Sequence, residues 1–333
     1  MAVFHGGNLA DAAEKFGTPV DGWVDLSTGI NPNPYPIPPL KTDLWGRLPD
    51  QDLLEELKIA AASYYNVADP SLVIPVSGTQ TLLQILPHVF ERPKKVRILE
   101  PTYKEHAYCW DLAGHEVEGV PDLQTAEKDG DIIIVVSPNN PTGEIYSPDE
   151  LIQLAKRQHA KGGLLIVDAA FVDCTPEIDV SASSGMDGLL VLRSFGKFFG
   201  LAGLRLGFVL VGGVLGQRLK DGIGPWAVNG PALEIGQRAF RDTAWIDQTR
   251  LDLAAQTARL DKVLQVAGLK VCGGTNLFRY CSISNAQELY AYLAINGILV
   301  RPFVDQPEFL RFGLPGEEKA WERLETVLKS FKV

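Results

Sequence analysis

Seven short runs of β-forming, mostly apolar residues recur between residues 72 and 212, and they constrain the fold more than any other feature of the chain. They read LVIPV (72–76), KVRIL (95–99), HEVEGV (115–120), DIIIVVS (131–137), GLLIVD (163–168), GLLVLRS (188–194) and LGFVLVG (206–212). Most are apolar at consecutive rather than alternate positions, the mark of strands buried on both faces. Helix-like segments lie between several of them, among them TQTLLQILPHVF and SPDELIQLAKRQHAKG. The second opens on Ser147 and Pro148, a good N-cap and first-turn pair. Strands alternating with helices predict an α/β fold with a mostly parallel seven-stranded sheet. The last two runs are joined by too short a link for a crossover helix, so one of them is expected to run antiparallel.

At 333 residues and 46% hydrophobic, the chain can bury one large core or two modest ones. The large domain is expected over residues 42–230. A proline-dense leader, LSTGINPNPYPIPPL (26–40), reads as an extended arm. After Pro231 helical patterns resume, with a long one over Ile246 to Val266. Shorter elements follow in TNLFRYCSI, AQELYAYLAING, ILVRPF and EFLRFGL, then a final helix from Glu317. Residues 1–41 joined to 231–333 are therefore expected to form a smaller α+β domain.

Charge and cysteine usage exclude several function classes. The 31 basic against 41 acidic residues give −10 with no basic block, which disfavours a nucleic-acid surface. Cys109, Cys174, Cys272 and Cys281 show neither CxxC pairing nor metal-ligand spacing, so no metal is expected and the thiols read as reduced. No apolar leader opens the chain and no run approaches membrane-spanning length, so a cytoplasmic protein without a membrane partner is expected. A nicotinamide dehydrogenase would carry GxGxxG after an early strand, and that run is absent.

The chemistry concentrates in RSFGKFFGLAGLRLGF, Arg193 to Phe208. Lys197 stands among apolar and glycine residues, where burial disfavours the ammonium form and frees the amine to attack a carbonyl. Ser194 and Arg205 flank it as a hydroxyl donor and a permanent cation, a pair suited to a phosphate group. A lysine able to form a Schiff base beside a phosphate cradle meets the needs of pyridoxal 5'-phosphate chemistry. A snorkelling surface lysine with a structural arginine would leave the same short pattern.

Ligands of open parallel sheets bind outside the carboxyl ends of the strands, so the polar residues there are candidates for one common site. LVIPV runs into SGTQT, with Gly78 and Thr79 at a helix start whose bare N–H groups suit an anion. DIIIVVS runs into PNNPTG, with Asn140 on a proline-bounded turn. GLLIV ends in Asp168. Taken singly, these read as an ordinary capped helix start, a turn residue and an N-cap. Taken together with Lys197, they form a phosphate nest, an amide, a carboxylate and an amine at neighbouring sheet ends. Asp168 can keep a pyridine nitrogen protonated and Asn140 can donate to a phenolate oxygen. Tyr103, in EPTYKEHAY, can stack on a ring face.

With these residues assembled, the chain resembles fold-type-I pyridoxal phosphate enzymes of the class I/II aminotransferase superfamily, through PNNPTG, the strand-ending Asp168 and S-F-G-K followed by G-L-R-L-G. The resemblance implies Lys197 as the amine that holds the cofactor as an imine, Asp168 on the pyridine nitrogen and Asn140 on the phenolate oxygen. It implies Gly78, Thr79, Ser194 and Arg205 on the phosphate, Tyr103 on the ring, and Arg311, in FLRFGLP, on the substrate carboxylate. The N-terminal HGGNLADAAEKFG and DLSTGINPNPYP are similar to the threonine-phosphate decarboxylase branch of cobalamin biosynthesis, a near relative of histidinol-phosphate aminotransferase. In that branch His5, Gly6, Gly7 and Asn8 would lie near the substrate, and Gly29, Ile30 and Asn31 would fold over the cofactor. Two positions depart from the wider pattern: Phe171 stands where many aminotransferases have a tyrosine, and Leu48 where relatives commonly carry a tyrosine reaching the partner subunit. A homodimer is nevertheless implied. Decarboxylation of a phosphorylated amino acid, transamination of histidinol phosphate or a related amino acid, and a non-catalytic cofactor-binding module remain as alternatives. For the substrate's second anion the candidates are His5, Lys104 and Arg301.

Overall fold

The computed structural model describes residues 6–91 and 93–331, so His5 lies outside the described residues. Contacts divide the chain into a larger unit, residues 35–140 and 145–246, and a smaller one, residues 1–34, 141–144 and 247–333.

The larger unit is built on seven strands: β1 (Val73–Val76), β2 (Lys95–Leu99), β3 (Glu116–Val120), β4 (Ile132–Val136), β5 (Leu164–Asp168), β6 (Leu189–Ser194) and β7 (Gly207–Leu210). Their order across the sheet is β1-β7-β6-β5-β4-β2-β3. Strand β7 runs antiparallel to both neighbours, and the other pairings are parallel. Every residue of β1, β4, β5 and β7 is buried, as their unbroken apolar runs require. On one face Ile74, Ile98, Ile134, Ile166 and Leu192 pack with Leu82, Leu86 and Trp110 from the covering helices. Each such side chain contributes roughly 1.5–3 kcal/mol on burial. Strand β3 lies at the sheet's edge and is largely exposed, in keeping with its alternating charges.

The helices of this unit that matter below are α1 (Gln51–Tyr64), α2 (Thr79–Ile85), α3 (Glu105–Leu112), α4 (Pro148–Ala160), α5 (Phe195–Phe198) and α6 (Gly230–Arg241). The segment TQTLLQILPHVF is not one continuous α-helix. Helix α2 stops at Ile85 and a 3₁₀ turn, Leu86–Val89, replaces it, because Pro87 offers no N–H and crowds the preceding turn. Helix α6 packs on α1, which draws residues 231–246 into the larger unit and sets the seam near residue 246 rather than 230. Likewise the leader divides at Pro34/Tyr35: the Tyr35 N–H donates to the Phe199 carbonyl at 2.9 Å within the larger unit.

The smaller unit carries an antiparallel sheet in the order Arg301–Pro302, Phe309–Gly313, Phe278–Ser282, Lys270–Thr275. The last of these strands has no counterpart among the expected elements. It contains Gly273 and Gly274 and alternates in burial, which erases the apolar signal. A two-residue parallel ladder pairs Val24–Asp25 with Ile298–Leu299, and helices Leu9–Phe16, Ala286–Ile295 and Glu318–Ser330 complete the unit, with Thr243–Val266 contributing from Asp247 onward. Among the described residues no helix is long and apolar enough to cross a membrane.

Candidate active site

Four of the expected phosphate partners gather at one corner of the larger unit, where β1, β7 and β6 end or begin side by side. Gly207 lies opposite both Val76 and Ser194 in the ladders. Gly78, just beyond β1, has φ +79°, and a Cβ built on it would stand 2.5 Å from Arg205 Nη2. The guanidinium therefore rests on the glycine's bare face, and no other residue type leaves it there. A Cβ on Gly207 would meet the Thr79 N–H nitrogen at 2.7 Å. The Thr79 hydroxyl donates to the Arg193 carbonyl at 3.3 Å, tying the start of α2 to the end of β6. First-turn N–H groups, two hydroxyls and a guanidinium converge here, a set of donors that suits a phosphate.

Asp168 ends β5 and is 5% exposed. Its Oδ1 accepts the Ala170 N–H at 3.0 Å, and its Oδ2 lies 2.9 Å from His106 Nε2. An ionised carboxylate only accepts, so Nε2 carries the proton in this pair. His106 is buried on α3, and no partner is recorded for its Nδ1 among the described residues. Tyr103 sets its ring edge-on to His106, with centroids 6.2 Å apart, and its hydroxyl donates to Gln80 Oε1 at 3.1 Å. Gln80 in turn donates to the buried Glu105 carboxylate at 2.6 Å. The sequence reading missed His106, Gln80 and Glu105. The one available signal was spacing: His106 follows Tyr103 by three residues and so returns to the same side of a helical turn.

In PNNPTG the first asparagine does the structural work. Asn139 donates to the Pro101 carbonyl at 2.8 Å and accepts from the Thr102 hydroxyl at 2.6 Å, joining the ends of β4 and β2. Asn140 follows it, partly buried, on the turn. Lys197 sits on the single turn α5, with Nζ 5.8 Å from the centre of the Phe171 ring. The lysine is half-buried rather than enclosed: Phe195, Phe198 and Phe199 point into the core, which leaves residue 197 on the other side of the turn. Leu48 is exposed, as is Trp45 beside it.

Apart from Lys104, which belongs to the larger unit, the remaining expected residues among those described lie in the smaller unit. Arg311 is 7% exposed, donates from Nη2 to the Ser27 carbonyl at 2.8 Å and stacks 5.0 Å from the Phe278 ring. The arm is held to the same sheet by the Gly313 N–H, which donates to the Leu26 carbonyl, while the Gly7 N–H donates to the Ser27 hydroxyl of the arm, each at 2.7 Å. Gly6 packs on Ser27. Gly29 and Asn31 are buried and Ile30 partly so, and Asn31 Oδ1 accepts the Asn33 N–H at 2.9 Å. Arg301 stands directly opposite Arg311 in the antiparallel ladder, so both side chains leave the same face. Lys104 is exposed and paired with Glu100 at 3.3 Å.

The residues present fit pyridoxal phosphate: a glycine whose missing Cβ admits a guanidinium, a buried strand-end carboxylate held by a histidine, and a half-buried lysine just beyond the neighbouring strand. A model of the Aminotransferase class I and II family matches residues 31–327. A threonine-phosphate decarboxylase from Pseudomonas aeruginosa is 44% identical over 330 residues, covering 98% of both chains. One from Sinorhizobium sp. is 42% identical over 328 residues, covering 98% of this chain and 97% of the relative. The solved histidinol-phosphate aminotransferase from Sinorhizobium meliloti, in complex with pyridoxal-5'-phosphate, superposes with a TM-score of 0.81 over 99% of this chain and 96% of its own. At 18% identity that last likeness speaks for the fold.

Proposed function

The chain belongs to the class I and II aminotransferase family of pyridoxal phosphate enzymes, and from that premise we propose that it decarboxylates L-threonine O-3-phosphate to (R)-1-amino-2-propanol phosphate, a step of cobalamin biosynthesis. The observation that carries the reading is the 44% identity along 98% of both chains with a threonine-phosphate decarboxylase. The cross-strand pair Arg311 and Arg301 supports it, because the substrate brings two anions, a carboxylate and a phosphate.

Pyridoxal phosphate, when bound, supplies an electron sink for the pair of electrons left at Cα as CO2 departs. The chain's residues hold that group and the substrate. Lys197 would hold the cofactor through its side-chain amine. Gly78, Thr79, Ser194 and Arg205 would receive its phosphate. Asp168, oriented by His106, holds a negative charge against the ring nitrogen and favours its protonated form; at an effective dielectric near 20 such a contact is worth roughly 4 kcal/mol at about 4 Å. Asn140 donates to the phenolate oxygen, and Tyr103 and Phe171 bound the ring. Arg311 takes the substrate carboxylate and Arg301 its phosphate, with Gly6, Gly29, Ile30 and Asn31 shaping the arm around them. In the reaction the bond from Cα to the carboxylate breaks, CO2 leaves, and a proton takes its place on Cα.

Transamination of histidinol phosphate or a related amino acid would use the same cofactor contacts and differ in which group leaves Cα. Incubating the holoenzyme with threonine phosphate is expected to release one CO2 per substrate, and Lys197→Ala to abolish it. Stoichiometric consumption of 2-oxoglutarate with no CO2 would replace the decarboxylase with the aminotransferase. We read the protein as a cytoplasmic homodimer, a reading to which the exposed side chains of Trp45 and Leu48 lend apolar surface.

A further inference from the structure

We propose that Arg193 is a positioning residue which, through Asp173 and Asp179, locks the segment carrying Asp168 and Phe171 to the segment carrying Ser194 and Lys197. The inference rests on the cofactor roles given above. Arg193 has 1% of its surface exposed and Asp173 has 3%. Arg193 Nη2 donates to Asp173 Oδ1 at 2.5 Å, while Nη1 donates to Asp179 and, at 3.1 Å, to the Ser181 hydroxyl. The guanidinium is stacked on Tyr65 at 4.2 Å from the ring centre.

The connectivity gives this cluster its meaning. Asp173 lies five residues beyond Asp168 and two beyond Phe171; Arg193 lies one before Ser194 and four before Lys197. The Arg193 carbonyl also accepts the Thr79 hydroxyl, so the same residue touches the turn that carries Gly78. The segment beyond β5 thus meets the Arg193 guanidinium and the turn beyond β1 meets the Arg193 carbonyl, so both are tied to the end of β6. Burial works against the Arg193 charge, but Asp173 and Asp179 outweigh it and keep the group protonated above the ordinary arginine range.

Ion pairs in an interior are poor sources of net stability, since apolar side chains of similar volume serve as well. What a guanidinium adds is direction: its planar fork accepts carboxylates in one arrangement, whereas apolar contacts tolerate slippage. A Lys side chain keeps the charge and loses the fork. It is therefore expected to leave the chain folded with the two segments less well registered.

The test uses the holoenzyme and three variants: Arg193→Lys, Asp179→Asn and, as a control, Arg97→Lys. Arg97 is likewise buried and paired with carboxylates, Asp129 and Glu116, but Glu116 opens β3 and Asp129 precedes β4, away from the carboxyl ends that carry the expected site residues. Arg193→Lys is expected to raise the Kd for pyridoxal phosphate about tenfold or more and to displace the pH at which the bound cofactor's visible band changes. Asp179→Asn, whose carboxylate is 17% exposed, keeps the protein folded if Arg193→Lys does not, and should move both quantities in the same direction by less. Arg97→Lys should lower the thermal midpoint and leave both unchanged. If the Arg193 and Asp179 variants lose thermal stability alone, with cofactor Kd and spectral midpoint as in the parent, the positioning role is overturned. A parent protein that takes up no pyridoxal phosphate would instead refute the cofactor reading beneath it.

Discussion

At Gly78 a single missing carbon makes room for the Arg205 guanidinium. The residue combines φ +79° with a guanidinium 2.5 Å from where a Cβ would lie, so two independent constraints demand glycine. Gly78→Ala must distort the turn or evict Arg205. It is expected to cost about 1–3 kcal/mol of stability and to weaken phosphate binding in the same variant, read by thermal melting and by cofactor titration. A variant that melts earlier with unchanged cofactor affinity would mean that Arg205 does not depend on the bare glycine face. His106 makes a complementary point. Its sequence neighbours mark it as one more residue of a short helix, and its importance lies entirely in Asp168, sixty-two positions away.

Elements formed where the local signals were strong and failed where they conflicted. All seven expected strands appear, most trimmed by a residue or two at their ends, and β7 runs antiparallel as the short link after β6 requires. Proline overrode the apolar periodicity after Ile85. Helix α4 begins where expected, with the Ser147 hydroxyl accepting the Glu150 N–H at 3.2 Å and Pro148 in the first turn. Ser147→Ala leaves that donor unpaired and should cost about 1 kcal/mol, a fall of a few degrees in the thermal midpoint, with turnover unchanged because α4 supplies no site residue. Loss of turnover without loss of stability would contradict that separation. The overlooked strand Lys270–Thr275 shows the opposite case: paired glycines carry no side-chain pattern, and only the partner strand Phe278–Ser282 makes them a strand.

For the molecule as a whole, acid should be the more damaging direction of pH change. Hydrogen bonds from Arg97, Arg157 and Arg259 hold Asp129, Glu127 and Glu318 respectively below the usual carboxylate range. A carboxyl lowered in the folded state stabilises fully above its unfolded pKa, 3.8 for Asp and 4.5 for Glu, and loses that contribution as pH falls through the folded value. Denaturant midpoints should therefore hold steady above about pH 5 and decline below it, and Arg157→Gln should shallow the decline. An identical acid limb in that variant would remove the Arg157–Glu127 pair from the account.

Strand identity, sheet class and the cofactor motif were legible from residues alone, because periodicity, turn chemistry and short motifs act over a few positions. Asp168 ends its strand and Gly78 and Thr79 open a helix as those rules expect, whereas Lys197 is half-buried rather than enclosed. What the residues could not disclose was who meets whom: His106 on Asp168, Arg193 between Asp173 and Asp179, Arg301 opposite Arg311. Those contacts depend on strand order and register, set by the packing of the whole core, and no local pattern encodes a partner sixty residues distant. The seam between the units moved for the same reason, since α6 joins whichever neighbour buries its apolar face.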